Sequence, residues 1–131
     1  MQLMPGTSAE MAKKLGLAHN PSKMLSDPVY NARLGSAYLA KLAEDYAGNV
    51  VLVSAGYNAG PGRARRWQDE QGDPRAQGVD IVDWIEAVPF RETRNYIMRV
   101  SESLPVYRAR LGLQPHPIPF SAELKGSTLR K

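Results

Sequence analysis

With 131 residues, 43% of them hydrophobic, the chain has the length and apolar content of one ordinary globular domain rather than of a disordered chain. It has no cysteine, which excludes disulfides and thiolate metal sites, and no apolar run nears the roughly 20 residues that cross a bilayer. The net charge of +4 favours anionic partners, whether nucleic acid, anionic lipid or an acidic wall polymer, without choosing among them. Met1-Gln2-Leu3-Met4-Pro5-Gly6 carries no secretory leader pattern. Read literally, that opening points to the cytoplasm, or to a true start further upstream. His19 and His116 are the only imidazoles and lie far apart beside prolines, so no metal site is expected.

Pro5-Gly6 reads as a turn, and Thr7-Ser8-Ala9-Glu10 has capping-box spacing, with Thr7 as N-cap. The first helix is therefore predicted from about Ser8 to Leu15, ending at Gly16. His19-Asn20-Pro21 reads as a second turn. Asp27-Pro28 is a strong helix start, and Ala32, Gly35, Leu39, Leu42, Ala43 and Tyr46 then recur at helical spacing up to Gly48-Asn49. Val50-Val51-Leu52-Val53 is β-branched and would suit a strand. No other segment offers it a partner strand, so a buried helix is expected, and with it an all-α fold.

That run leads into Ala55-Gly56-Tyr57-Asn58-Ala59-Gly60-Pro61-Gly62. The Tyr57 ring offers a flat apolar face, and the Asn58 amide both a donor and an acceptor. Together they fit a sugar, which has apolar ring faces and polar edges. The alternative is a plain helix end followed by a loop, and the stretch alone does not choose. Arg63, Arg65 and Arg66 continue to Trp67 as a solvated basic face, with contact to an anionic polymer as the alternative, and Gln68 to Val79 reads as a surface loop. Asp80 caps a short amphipathic helix that stops before Pro89. The last long helix begins near Phe90 with a stripe of Ile97, Val100, Leu104, Tyr107 and Leu111, and Pro105 is expected to kink it before Gly112. Residues 113–131 hold Pro115, Pro117 and Pro119 without a stripe, and an extended, disordered tail is expected there.

Three stretches resemble the catalytic (SLT) domain of soluble lytic transglycosylases, which cleave the glycan strands of peptidoglycan. Met1-Gln2-Leu3-Met4-Pro5 is similar to the end of the family's Gly-Leu-Met-Gln-Leu-Met-Pro motif. Ala55 to Gly60 is similar to its Ala-Tyr-Asn-Ala-Gly motif. Val88-Pro89-Phe90-Arg91-Glu92-Thr93-Arg94-Asn95-Tyr96 is similar to its Ile-Pro-Phe-x-Glu-Thr-Arg-x-Tyr motif. Order and separation match over residues 1–112.

The resemblance implies a lysozyme-like helical domain over 1–112, lacking its N-terminal catalytic helix. It implies cleavage of the MurNAc–GlcNAc β-1,4 bond with a 1,6-anhydro product and no metal or cofactor. Met1 and Gln2 are implied to line the groove, and Tyr57 and Asn58 to flank the scissile bond. Glu92, four residues before Tyr96 and so on the same helical face, is implied to be a buried supporting carboxylate, with Tyr96 helping to position the acid. A plain ion pair of Glu92 with Arg91 or Arg94 is the rival reading. The family's catalytic Glu sits in a Glu-Ser pair upstream of Gly-Leu-Met-Gln, so it is expected to lie before Met1, leaving the present chain inactive. A start assigned at an internal Met is favoured over a dead remnant.

Three functions are weighed. A lytic transglycosylase of the bacterial periplasm or envelope, working as a monomer, leads. A non-catalytic glycan-binding module is second. A nucleic-acid binder is third and weak, because no nucleic-acid motif accompanies the charge.

Overall fold

A computed structural model describes residues 3–128, and among them there is no β-strand: eight helices carry the fold. The chain divides into two compact units, 1–42 and 43–131, with the division falling in the last turns of a helix.

In the first unit, α1 (Pro5–Lys14) starts earlier than the capping box predicts. Proline at the first helical position, directly after Met4, outcompetes the Thr7 cap, because its missing N–H and preset φ cost nothing there. The Ser8 hydroxyl donates to the Pro5 carbonyl (2.9 Å) and lies 2.9 Å from His19 Nε2. Gly16, at φ 68°, ends the helix, and Leu17 N–H closes it onto the Ala12 carbonyl at 2.8 Å. The expected turn at His19-Asn20-Pro21 opens a further helix, α2 (Pro21–Ser26), because Asn20 Oδ1 accepts from Ser22 N and Lys23 N. Then α3 (Pro28–Asp45) starts as predicted, with Asp27 Oδ1 accepting from the N–H groups of Val29 and Tyr30. Its buried stripe is Tyr30, Leu34, Tyr38 and Leu42, whereas Ala32 is exposed and Leu39 half-buried. The larger side chains claim the interior because each removes more apolar area from water.

In the second unit, α4 (Val50–Ala59) is the buried helix that the Val-rich run predicts, with Val51, Leu52 and Ala55 wholly enclosed. Each fully buried Val or Leu contributes about 1.5–3 kcal/mol. Gly60, at φ 97° and ψ 147°, ends α4 and precedes α5 (Pro61–Gln71), which extends past Trp67 into the predicted loop. The loop that follows is tied down. Arg75 holds Asp73 through bonds of 2.7–3.2 Å, and Trp84 Nε1 donates to the Gly72 carbonyl at 2.9 Å. Next come α6 (Ile81–Glu86), capped by Asp80, and α7 (Arg91–Arg110), which runs through Pro105 without ending. Helix α4 packs on α7 and α5, and α6 packs on α7.

The expected tail departs from its reading. Residues 120–125 form α8 (Phe120–Lys125), which packs on α4 and α6. The reason is local: Glu123 is only 5% exposed and ion-paired with Arg108, and Leu124 is buried beside it. A six-residue helix shows too few periods to leave a stripe in the sequence.

Candidate glycan-binding site

Two helices of the second unit present the site. Helix α4 carries Tyr57 and Asn58 in its last turn, and α7 carries Glu92, Thr93 and Tyr96 in its first turns. The Tyr57 and Tyr96 rings lie nearly parallel, 12° apart in plane and 6.5 Å between centroids. The Thr93 hydroxyl donates to Asn58 Oδ1 at 2.7 Å. This bond assigns the carbonyl end of the amide to Thr93 and leaves its NH₂ end for a ligand. Asn58, Glu92, Asn95, Tyr96 and Arg99 line a concavity of about 260 Å³. Burial pushes the Tyr96 phenol above its ordinary value near 10, so near neutral pH it is an uncharged hydroxyl able to donate.

The motif residues Tyr57, Asn58, Glu92 and Tyr96 therefore converge from positions far apart in sequence. One expectation fails: Glu92 is exposed rather than buried. Within α7 the buried face is Thr93, Ile97 and Ser101. Glu92 and Tyr96 share a neighbouring face that lines the concavity, and Glu92, in the helix's first turn, takes its wet end. The rival ion pair is not formed with Arg94, whose guanidinium donates to the Val88 carbonyl at 2.7 Å. Met1 and Gln2 lie outside the described residues.

Sequence reasoning gave no role to Thr93 or to Arg99. Arg99 was findable, since it follows Tyr96 by three residues on the same face. Thr93 was not, because its partner lies 35 residues away. A larger, mostly apolar concavity of about 650 Å³ in the first unit, lined by Leu15, Val29, Ala32, Arg33 and Ser36 among others, contains none of the motif residues.

Nearby, Arg63 lies over the Phe90 ring, 4.6 Å from its centroid, and Trp67 meets that ring edge-on at 5.6 Å. This stack fixes the start of α7 against α5. Among the described residues no group of three or more acidic or imidazole side chains could hold a metal, and no helix is long and apolar enough to cross a membrane.

Comparison with known proteins places these features in a family. The profile of the transglycosylase SLT domain matches residues 1–79. The soluble lytic murein transglycosylase of Escherichia coli K12 is 35% identical over 116 residues, covering 88% of this chain and 17% of the relative. That of Salmonella typhimurium is 35% identical over 114 residues, covering 86% of this chain and 17% of the relative. Among solved structures, the 70 kDa soluble lytic transglycosylase of E. coli aligns with a TM-score of 0.77 and 32% identity over 98% of this chain and 19% of that one. An inactive Glu-to-Gln variant of the lytic transglycosylase Slt from Pseudomonas aeruginosa aligns with a TM-score of 0.73 and 41% identity, over 88% of this chain and 18% of that one. The chain thus spans less than a fifth of the relatives it matches. By profile, sequence identity and its lysozyme-like all-α fold, the chain belongs to the SLT-domain family of lytic transglycosylases.

Proposed function

We propose that this chain is the glycan-holding part of a peptidoglycan lytic transglycosylase. The observation that carries the reading is that Asn58, Glu92 and Tyr96, from two helices, line one shallow, half-polar concavity, with Tyr57 stacked on Tyr96 and Thr93 bonded to Asn58 behind it. The tyrosine rings offer faces for sugar rings, and the Asn58 NH₂ offers a donor for an acetamido or hydroxyl oxygen. The substrate bond is MurNAc–GlcNAc β-1,4. The reaction is protonation of the glycosidic oxygen by one carboxylic acid, then attack of the sugar's own 6-hydroxyl on the anomeric carbon as the same group takes its proton. The product is a 1,6-anhydro sugar, and no water is consumed.

One acid suffices for this route, unlike the carboxylate pair of most glycosidases. Such an acid keeps its proton near neutral pH by burial. Glu92 is exposed and so lacks that setting, and the Pseudomonas relative is inactive as a Glu-to-Gln variant. We therefore assign the acid to a Glu outside these residues, and to Tyr96 the role of an uncharged hydroxyl that helps orient it. The surroundings are the periplasm or envelope of a bacterium, and the protein works as a monomer on peptidoglycan rather than on nucleic acid.

The decisive experiment compares this chain with a polypeptide extended upstream to include an in-frame Glu-Ser. The extended protein should release 1,6-anhydro muropeptides from purified cell wall, detected by mass spectrometry, while the present chain binds wall and releases none. Hydrated reducing ends alone would point to a lysozyme-type hydrolase and overturn the reading. The exposure of Glu92 also favours a second reading, a glycan-binding module with no chemistry, which binding without release by the extended protein would establish.

A further inference from the structure

Asn49 is wholly buried, with none of its surface exposed, and uses both ends of its amide. Its Oδ1 caps α4 by accepting from Leu52 N–H at 3.0 Å. Its Nδ2 donates to the carbonyls of Leu124 (2.8 Å) and Gly126 (3.1 Å), 75 and 77 residues away. Beside it, the Gly48 carbonyl accepts from both the backbone N–H (2.8 Å) and the hydroxyl (2.7 Å) of Thr128. The same C-terminal segment grips α7 through the Glu123–Arg108 ion pair, and Lys125 Nζ donates to the Ala76 carbonyl at 2.8 Å.

Residues 123–128 thus clasp both helices that carry the candidate site, each at the end remote from the sugar-facing residues. Helices are stiff rods rising about 1.5 Å per residue, so α4 carries a rotation or slide at Asn49 along roughly 14 Å to Asn58. Few side chains could replace this one. Aspartate keeps the cap but has no N–H for the two carbonyls, and serine keeps the cap but is too short to reach them. An ordinary N-cap needs only an acceptor, so the enclosed amide answers a second demand.

We propose that Asn49 is a positioning residue for the glycan site: held between the start of α4 and the carbonyls of Leu124 and Gly126, it sets where Tyr57 and Asn58 stand against Thr93 and Tyr96. The ligand it serves is the glycan of the proposed function, on which this part of the inference rests. The bond from Thr93 to Asn58 tolerates little displacement, because a hydrogen bond weakens steeply with misalignment. A small shift of α4 therefore removes the fixed orientation of the Asn58 amide before it unfolds anything.

The test uses the full chain and two readouts: the Asn58 side-chain amide signals in nitrogen-15 NMR without sugar, and the dissociation constant for hexa-N-acetylchitohexaose. Asn49→Asp should shift or broaden the Asn58 signals and weaken binding about tenfold while a cooperative melt persists. Thr128→Val, which leaves the cap untouched, should move the same signals less and weaken binding about two- to threefold. Ile85→Val, a core change outside the clasp, should lower the melting temperature with signals and affinity unchanged. A folded Asn49→Asp protein with wild-type Asn58 signals and affinity overturns the proposal. Should Asn49→Asp not fold, unmoved signals in Thr128→Val overturn it equally. A wild-type chain that binds no chito-oligosaccharide sinks the glycan reading instead, and the sugar-free Asn58 signals then decide the positioning role alone.

Discussion

Thr93 illustrates how much a single buried hydroxyl can do for recognition. Almost fully buried, it spends its proton on Asn58 Oδ1 and so fixes which end of that amide faces the candidate site. Thr93→Val keeps the shape and β-branching but frees the amide to flip. Chito-oligosaccharide binding should weaken about five- to tenfold, roughly the 1 kcal/mol of one hydrogen bond, by calorimetric titration. Tyr96 makes a pH-dependent contribution of definite sign. Its folded-state pKa is raised by burial, so its contribution is complete below the unfolded value near 10 and is lost as pH rises through the higher folded value. Urea midpoints should therefore fall above pH 10, and Tyr96→Phe should remove that part of the fall. Tyr57, Asn58 and Tyr96 were legible as candidate site residues because their motifs are local in sequence. The exposure of Glu92 was not, since a helix's orientation about its own axis is set by what it packs on.

Elements were most legible where one strong local signal stood alone. Asp27-Pro28 and Asp80 cap α3 and α6 as read, and the Val50 run is a helix, with no strand among the described residues to pair with it. Errors arose where two signals competed. Pro5 overrode the Thr7 cap, and Asn20-Pro21, read as a turn, is also a sound helix start. Gly60 belongs to this scale because one residue ends α4 and launches α5 from a backbone region open essentially only to glycine. Gly60→Ala should cost about 1–3 kcal/mol, read from denaturant midpoints, although a Cβ there meets no neighbouring atom within 4 Å. The loop before α6 has its own pH signature. Hydrogen bonds from Arg75 hold the Asp73 carboxyl below its ordinary value, so its contribution is present above about pH 4 and lost as pH falls through the depressed value. Asp73→Asn should flatten the acid limb of a stability–pH curve, modestly, because the pair is partly exposed.

At the scale of the whole molecule, apolar side chains remain on the surface: Leu25, Val29, Val106, Tyr107 and Leu111, the last two 65% and 74% exposed. Of the five residues of the predicted α7 stripe, Ile97 is buried, Val100 and Leu104 are half-buried, and Tyr107 and Leu111 are exposed. A sequence stripe records what a helix can bury, and only its neighbours decide what it does bury. This chain should bind a hydrophobic-surface dye, and a folded chain that binds none would show these side chains to be covered. The C-terminal clasp was illegible for a related reason. Its partners Asn49 and Leu124 are 75 residues apart, and neither belongs to a periodic pattern.

The tryptophans give this architecture an optical consequence. The chain has two, Trp67 and Trp84, both buried and both in the unit spanning 43–131. Their emission therefore reports from that unit, while the other has Tyr30 and Tyr38 as its tyrosines and no tryptophan. A melt followed by tryptophan emission times the opening of the unit that carries the candidate site, while helical circular dichroism sums over both units. Any gap between the two curves is a direct reading of how independently the units unfold.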